Sequence, residues 1–115
     1  MLGFEHAFRG LIEMIKTERN FKIQVLAFTL VIILGFVLDV SIQDWLILIL
    51  VSGMVMSLEI INSAIEKICD LYTTEKNEKI RIIKDISAGA VLITALFAFI
   101  TGILVFLPHI KNIIN

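Results

Sequence analysis

The chain has 115 residues, 58% of them hydrophobic and only 18% charged, with a mean hydropathy of +0.96. A soluble domain uses roughly 45–50% apolar residues even with glycine counted, so this chain has too few charges to cover a water-facing surface. Lys and Arg number 10 against 11 Asp and Glu, and a net charge of -1 excludes nucleic acid as an expected partner.

Within residues 1–22, Phe4, Phe8, Leu11, Ile12 and Ile15 recur near helical spacing while Glu5, Arg9, Glu13 and Lys16 point elsewhere. That pattern predicts an amphipathic helix lying on a membrane surface. Residues 23–38, IQVLAFTLVIILGFVL, contain no ionised side chain and read as a first, short span. A second span over 45–65 rises about 1.5 Å per residue and so covers roughly 30 Å of hydrocarbon. The third occupies 86–107, where Pro108 is expected to end it. Residues 66–85 form a cytoplasmic extension and loop. The whole chain, 1–115, then reads as one domain: an all-α membrane protein of three transmembrane helices preceded by a surface helix.

Basic loops are retained on the cytoplasmic side. Arg9, Lys16, Arg19 and Lys22 precede the first span, Lys67, Lys76, Lys79, Arg81 and Lys84 lie between the second and third, and the VSIQD turn has none. Only Lys111 lies at the other end. This distribution predicts a multi-pass protein with a cytoplasmic N-terminus and an external C-terminus.

The segment LEIINSAIEKICD interrupts the second span with polar groups. At about 100° per residue, Asn62, Ser63, Glu66 and Asp70 all fall within about 60° of Glu59, so these side chains share one helix face. An ionised group at the centre of a spanning helix costs about 2.5–3.5 kcal/mol on the gentler insertion scale. One reading is an interhelical hydrogen-bond network that holds an oligomer together. The other is a polyanionic pocket for a divalent cation and its phosphate ligands, open toward the cytoplasm. Lys84, at the mouth of the third span beside Asp85, offers a point charge to a phosphate or snorkels to the headgroups. Glu18, Asn20 and Gln24 lead into the first span. The six glycines, at 3, 10, 35, 53, 89 and 102, make neither a GxxxxGK[ST] loop nor a GxGxxG turn. His6 and His109 read as interfacial residues more readily than as catalytic bases.

The string EIINSAIEKICD, the polar loop TTEKNEK and then KDISAGAVL, together with FRG and TERNF upstream, resemble the small bacterial membrane lipid kinases, the diacylglycerol kinase and undecaprenol kinase family. The resemblance extends over nearly the whole chain. It implies a homotrimer in the bacterial inner membrane, with its active site on the cytoplasmic side, that transfers the γ-phosphate of ATP to a lipid alcohol. Undecaprenol is the expected acceptor, with diacylglycerol as the alternative; a non-enzymatic assembly subunit or a small ion-conducting protein is the alternative of another class.

The resemblance further implies that Glu59 is the general base and that Asn62 orients the phosphate. Glu18 and Glu66 would hold the Mg²⁺ of Mg-ATP. Lys84 and Asp85 match the family's nucleotide-contacting pair, and Glu75, Lys76 and Asn77 match its nucleotide loop, where Lys76 and Asn77 replace the family's common tyrosine and histidine. His6 stands where the family often has a tyrosine beside the nucleotide.

Overall fold

The computed structural model describes residues 2–115. Met1, where the predicted surface helix begins, lies outside the described residues. Among the described residues there are four helices, α1 (Leu2–Thr17), α2 (Arg19–Val37), α3 (Ile42–Tyr72) and α4 (Glu78–Ile114). The last three are long and apolar enough to cross a membrane. They give the chain a flattened shape of 57 × 38 × 20 Å. Side chains such as Leu26, Leu30, Leu50, Leu96 and Phe99 stand exposed on the outer faces. A bilayer accepts such faces without cost because the helices satisfy their own backbone groups.

α1 stops at Thr17, short of the predicted residue 22. Glu18 has an extended backbone (φ -102°, ψ 108°) and serves as the N-terminal cap position of α2, so residues 19–22 belong to the first span's helix. The elbow is closed by Met14 and Phe21, both buried. On α1 the apolar Phe4, Phe8, Leu11, Ile12 and Ile15 remain exposed.

α2 and α3 are joined by a tight turn with a recognisable local cause. The Val40 N–H donates to the Gly35 carbonyl (3.1 Å) and the Asp39 N–H to the Phe36 carbonyl (3.3 Å). Asp39 has φ 51°. This is the Schellman ending, with aspartate in the left-handed position that glycine usually fills and the next residue, Val40, buried. Ser41 Oγ then accepts from the Asp44 N–H at 3.1 Å and caps α3. The helix therefore restarts at Ile42, inside the segment expected to be the turn.

Beyond the turn, the benzo edge of the Trp45 indole closes over Gly35, leaving no room for a Cβ there. Its ring also meets Phe36, with centroids 4.9 Å apart. Val40, Leu48, Val105 and Phe106 form the buried cluster at this end, with Val31, Leu38 and Trp45 against it. Gly35→Val is expected to displace the indole and destabilise the protein by about 1–3 kcal/mol, the usual cost of overpacking. A lowered thermal unfolding midpoint in detergent, with quenching of the single tryptophan altered, checks this; an unchanged midpoint contradicts it.

Segment 66–85 comprises the end of α3, a short loop, 73–77, and the start of α4. Asn77 Oδ1 accepts from the Lys79 and Ile80 N–H groups at 3.0 and 3.2 Å, which starts α4. Across the loop Lys84 Nζ donates to Asp70 Oδ1 at 2.7 Å, tying α4 to the end of α3. α4 does not stop at Pro108 but continues to Ile114. Proline removes one N–H donor, and a long membrane helix tolerates that loss when neighbouring groups satisfy the freed carbonyl. α3 is the central element and packs most extensively against α4, then against α2.

Candidate active site

The polar face of α3 turns inward. Glu59 is 5% exposed, Asn62 7% and Ser63 3%, and these are the buried polar residues among those described. The helix period that grouped them in the sequence places them against α2 and the α1–α2 elbow. Further along the same face, Glu66 is half-buried and Asp70 exposed, so the stripe runs from the membrane interior to its rim.

Two connections define the cluster. Asn62 Nδ2 donates to Glu66 Oε1 at 3.3 Å. Lys67 Nζ donates to Glu18 Oε1 at 2.7 Å and to Ser63 Oγ at 3.2 Å. The second connection crosses from α3 to the elbow, and it brings Glu18 to the carboxylate face despite 49 residues of separation. The Lys67 ammonium holds the Glu18 carboxyl below the usual carboxylate range, because a hydrogen-bonded cation favours the ionised form.

Two buried side-chain oxygens accept no hydrogen bond, Asn62 Oδ1 and Gln24 Oε1. A buried unpaired acceptor costs about 1–3 kcal/mol, so such groups persist where a ligand or water supplies the donor. Gln24 stands beside Glu59 and at the head of a groove between α2, α3 and α4. The groove holds about 560 Å³ and is apolar along its length, with Phe28, Val31, Val55, Phe99 and Phe106 among its walls. The buried Glu59 carboxyl is thus linked through Gln24 to the end of an apolar groove on one side, and along the α3 stripe to a charged rim on the other. This arrangement suits a reaction between an apolar molecule with a polar head and a water-borne anion.

Residues 5–106 match the profile of the family described as prokaryotic diacylglycerol kinase. The chain belongs to that family. The lipid kinases of this kind include the undecaprenol kinase of Bacillus subtilis, 42% identical over 108 residues that cover 94% of this chain and 88% of the relative. The diacylglycerol kinase of Synechocystis is 33% identical over 98% of this chain, which spans about two thirds (65%) of that relative's length. The Escherichia coli K12 diacylglycerol kinase is 32% identical, with 90% of this chain and 85% of the relative covered. This member is therefore a lipid kinase that uses ATP, and the assembly-subunit and ion-conduction readings give way to that.

Of the residues singled out in the sequence, the fold brings Glu18, Glu59, Asn62 and Glu66 into one region. Lys84 is paired to Asp70, at the same rim, and lies within electrostatic reach of Glu66. Asp85 turns instead to Arg81 (2.7 Å), which also pairs with Glu78. Lys84 and Asp85 thus have separate partners. Glu75, Lys76 and Asn77 are exposed in the loop, and His6 is exposed on α1. His109 reaches Asp44 at 3.5 Å, at the opposite end of the bundle from the cluster. Lys67 was missed as a site residue. Its signal was the position one turn after Ser63, at the edge of the polar stripe.

Proposed function

We propose that this lipid kinase phosphorylates undecaprenol, moving the γ-phosphate of ATP to the lipid hydroxyl, with Glu59 as general base. The observation that carries this is the buried Glu59 carboxyl beside Gln24, the residue that lines the head of the apolar groove. The lipid hydroxyl comes to that head from the bilayer. Glu59 accepts its proton as the oxygen bonds to the γ-phosphorus and the bond to ADP breaks. Asn62 orients the phosphate, and its unpaired Oδ1 is free to accept from a hydroxyl.

Glu18 and Glu66 would hold Mg²⁺. Among the described residues, no three His, Cys, Asp or Glu side chains converge as a metal cage. A pair of carboxylates nevertheless fits Mg²⁺, which is commonly held by one or two carboxylates plus the substrate's phosphates and keeps several waters. When bound, the ion neutralises phosphate charge and fixes the triphosphate's orientation. Glu66 lies about 10 Å along the helix from Glu59, which separates the ATP side from the lipid side.

In the same reading Lys84, Asp85 and the loop residues Glu75, Lys76 and Asn77 contact the nucleotide at the rim, with His6 on the surface helix. α1 lies on the cytoplasmic face of the inner membrane. The asymmetry of basic residues supports a cytoplasmic N-terminus and active site and an external C-terminus. Three spans can hardly enclose a polar pocket for two substrates, which supports association, and in this reading the assembly is a homotrimer in which residues 1–115 form one domain. Diacylglycerol is the second acceptor, favoured by the names of two of the relatives.

Purified protein in mixed micelles with Mg-ATP is the test. Phosphate should appear on undecaprenol faster than on diacylglycerol, and crosslinking of the same preparation should end at a trimer. The reading fails if no long-chain alcohol takes phosphate; a faster reaction with diacylglycerol reverses the choice of acceptor.

A further inference from the structure

The cation at the centre of the carboxylate cluster belongs to the protein itself. Lys67 Nζ touches Glu18 Oε1 at 2.7 Å and Ser63 Oγ at 3.2 Å, bridging the elbow and α3. Glu13 on α1 and Glu66 on α3 also lie within electrostatic reach of it, and Glu18 and Glu66 are in turn felt by the buried Glu59. Lys84 is committed to Asp70, so Lys67 is the ammonium that balances the inner carboxylates. Beside Glu66, Asn62 Oδ1, on a residue 7% exposed, is buried and accepts no hydrogen bond.

We propose that Lys67 is a movable placeholder: it occupies Glu18 while the nucleotide site is empty, and turns to the phosphates when a divalent cation takes its place on Glu18. This rests on the assignment of Glu18 to the cation under the kinase reading above. The chemistry follows from charge. A triphosphate entering a cluster of carboxylates is repelled unless cations accompany it, and a divalent ion approaching Glu18 is repelled by the ammonium already there. A lysine suits both states, because its ammonium is a point charge on a flexible stem with three rotatable donors. The Lys67 side chain is 56% exposed, which leaves it room to swing. Lys67 is accordingly a positioning residue for Glu18 in the empty site and a phosphate contact in the loaded one.

The two roles predict opposite effects of one substitution. Lys67→Gln removes the charge and keeps a hydrogen-bond donor for Glu18. Mn²⁺ binding to nucleotide-free protein in detergent, followed by electron paramagnetic resonance, should tighten roughly thirtyfold, the size of the repulsion between a divalent and a single charge about 4 Å apart in water-like surroundings. ATP binding in the presence of Mg²⁺ should weaken roughly tenfold, the loss of one charge-assisted contact to phosphate. Lys67→Arg, which keeps the charge, should restore ATP binding to within a few-fold of the wild type and return Mn²⁺ binding toward it.

A merely structural lysine would weaken both ligands together, or neither, in Lys67→Gln, and either result overturns the proposal. So does a failure of arginine to restore ATP binding. The kinase reading is decided separately, by whether the wild-type protein phosphorylates any lipid alcohol, since the Mn²⁺ measurement needs no turnover.

Discussion

Replacing Glu59 by glutamine is expected to lower the rate of phosphoryl transfer by about a hundred- to ten-thousandfold, the contribution of a positioned general base. The amide has nearly the shape of the carboxyl and stays beside Gln24 within the same buried site, so packing on α3 is little changed. Assembly and ATP binding should therefore persist. Single-turnover phosphorylation, nucleotide binding and crosslinking on one preparation separate the outcomes. A variant that falls apart into protomers while the residual enzyme keeps its rate would point to the hydrogen-bond network instead. The result matters because Glu59 is the buried carboxylate among the described residues and lies on a helix apolar enough to span a membrane, where an ionisable group is costly unless it does chemistry or is paired.

The second large effect is expected at Glu66. Glu66→Gln removes one unit of negative charge from the pair assigned to Mg²⁺, and it substitutes an amide whose NH₂ cannot ligate a cation. Removing even a supporting partner of a metal site typically costs roughly tenfold to a hundredfold in affinity, so Mg-ATP should bind at least about tenfold more weakly. The Mg²⁺ concentration for half-maximal activity should rise while the rate at saturation falls less. An unchanged metal dependence contradicts the role of Glu66. Glu66 also accepts a hydrogen bond from Asn62 Nδ2 (3.3 Å) and so orients the amide whose oxygen stays unpaired. Asn62 is thus expected to feel Glu66→Gln, and double substitutions at 62 and 66 should be non-additive.

The polar stripe on α3 was readable because a helix has a fixed period, and Glu59, Asn62, Ser63 and Glu66 fall on one side of any α-helix that contains them. The three apolar spans were readable for an equally local reason, since hydrocarbon thickness sets their length. Helix ends were less so. Capping by Ser41 and Asn77 left Ser-x-x-Asp and an Asn before a helix in the sequence, but these are common patterns and did not place Ile42 or Glu78 at the start of a helix. The left-handed Asp39 has no glycine to announce it. Pro108, read as a stop, lies inside α4, because a proline's cost is decided by what surrounds the freed carbonyl.

What a neighbouring element does to a side chain is not written in the segment that carries it. Lys67 could be placed at the edge of the stripe, but only the folding of the α1–α2 elbow against α3 delivers Glu18 to it across 49 residues. The same packing puts Gln24 over the groove, splits Lys84 and Asp85 between Asp70 and Arg81, and lays Trp45 on Gly35. Membrane class, number of spans and the polar face of α3 follow from composition and periodicity, which act through backbone hydrogen bonding and burial along a single helix. The pairing of charges and the shape of the apolar groove depend on contacts between helices distant in the chain, and those were settled by tertiary packing alone.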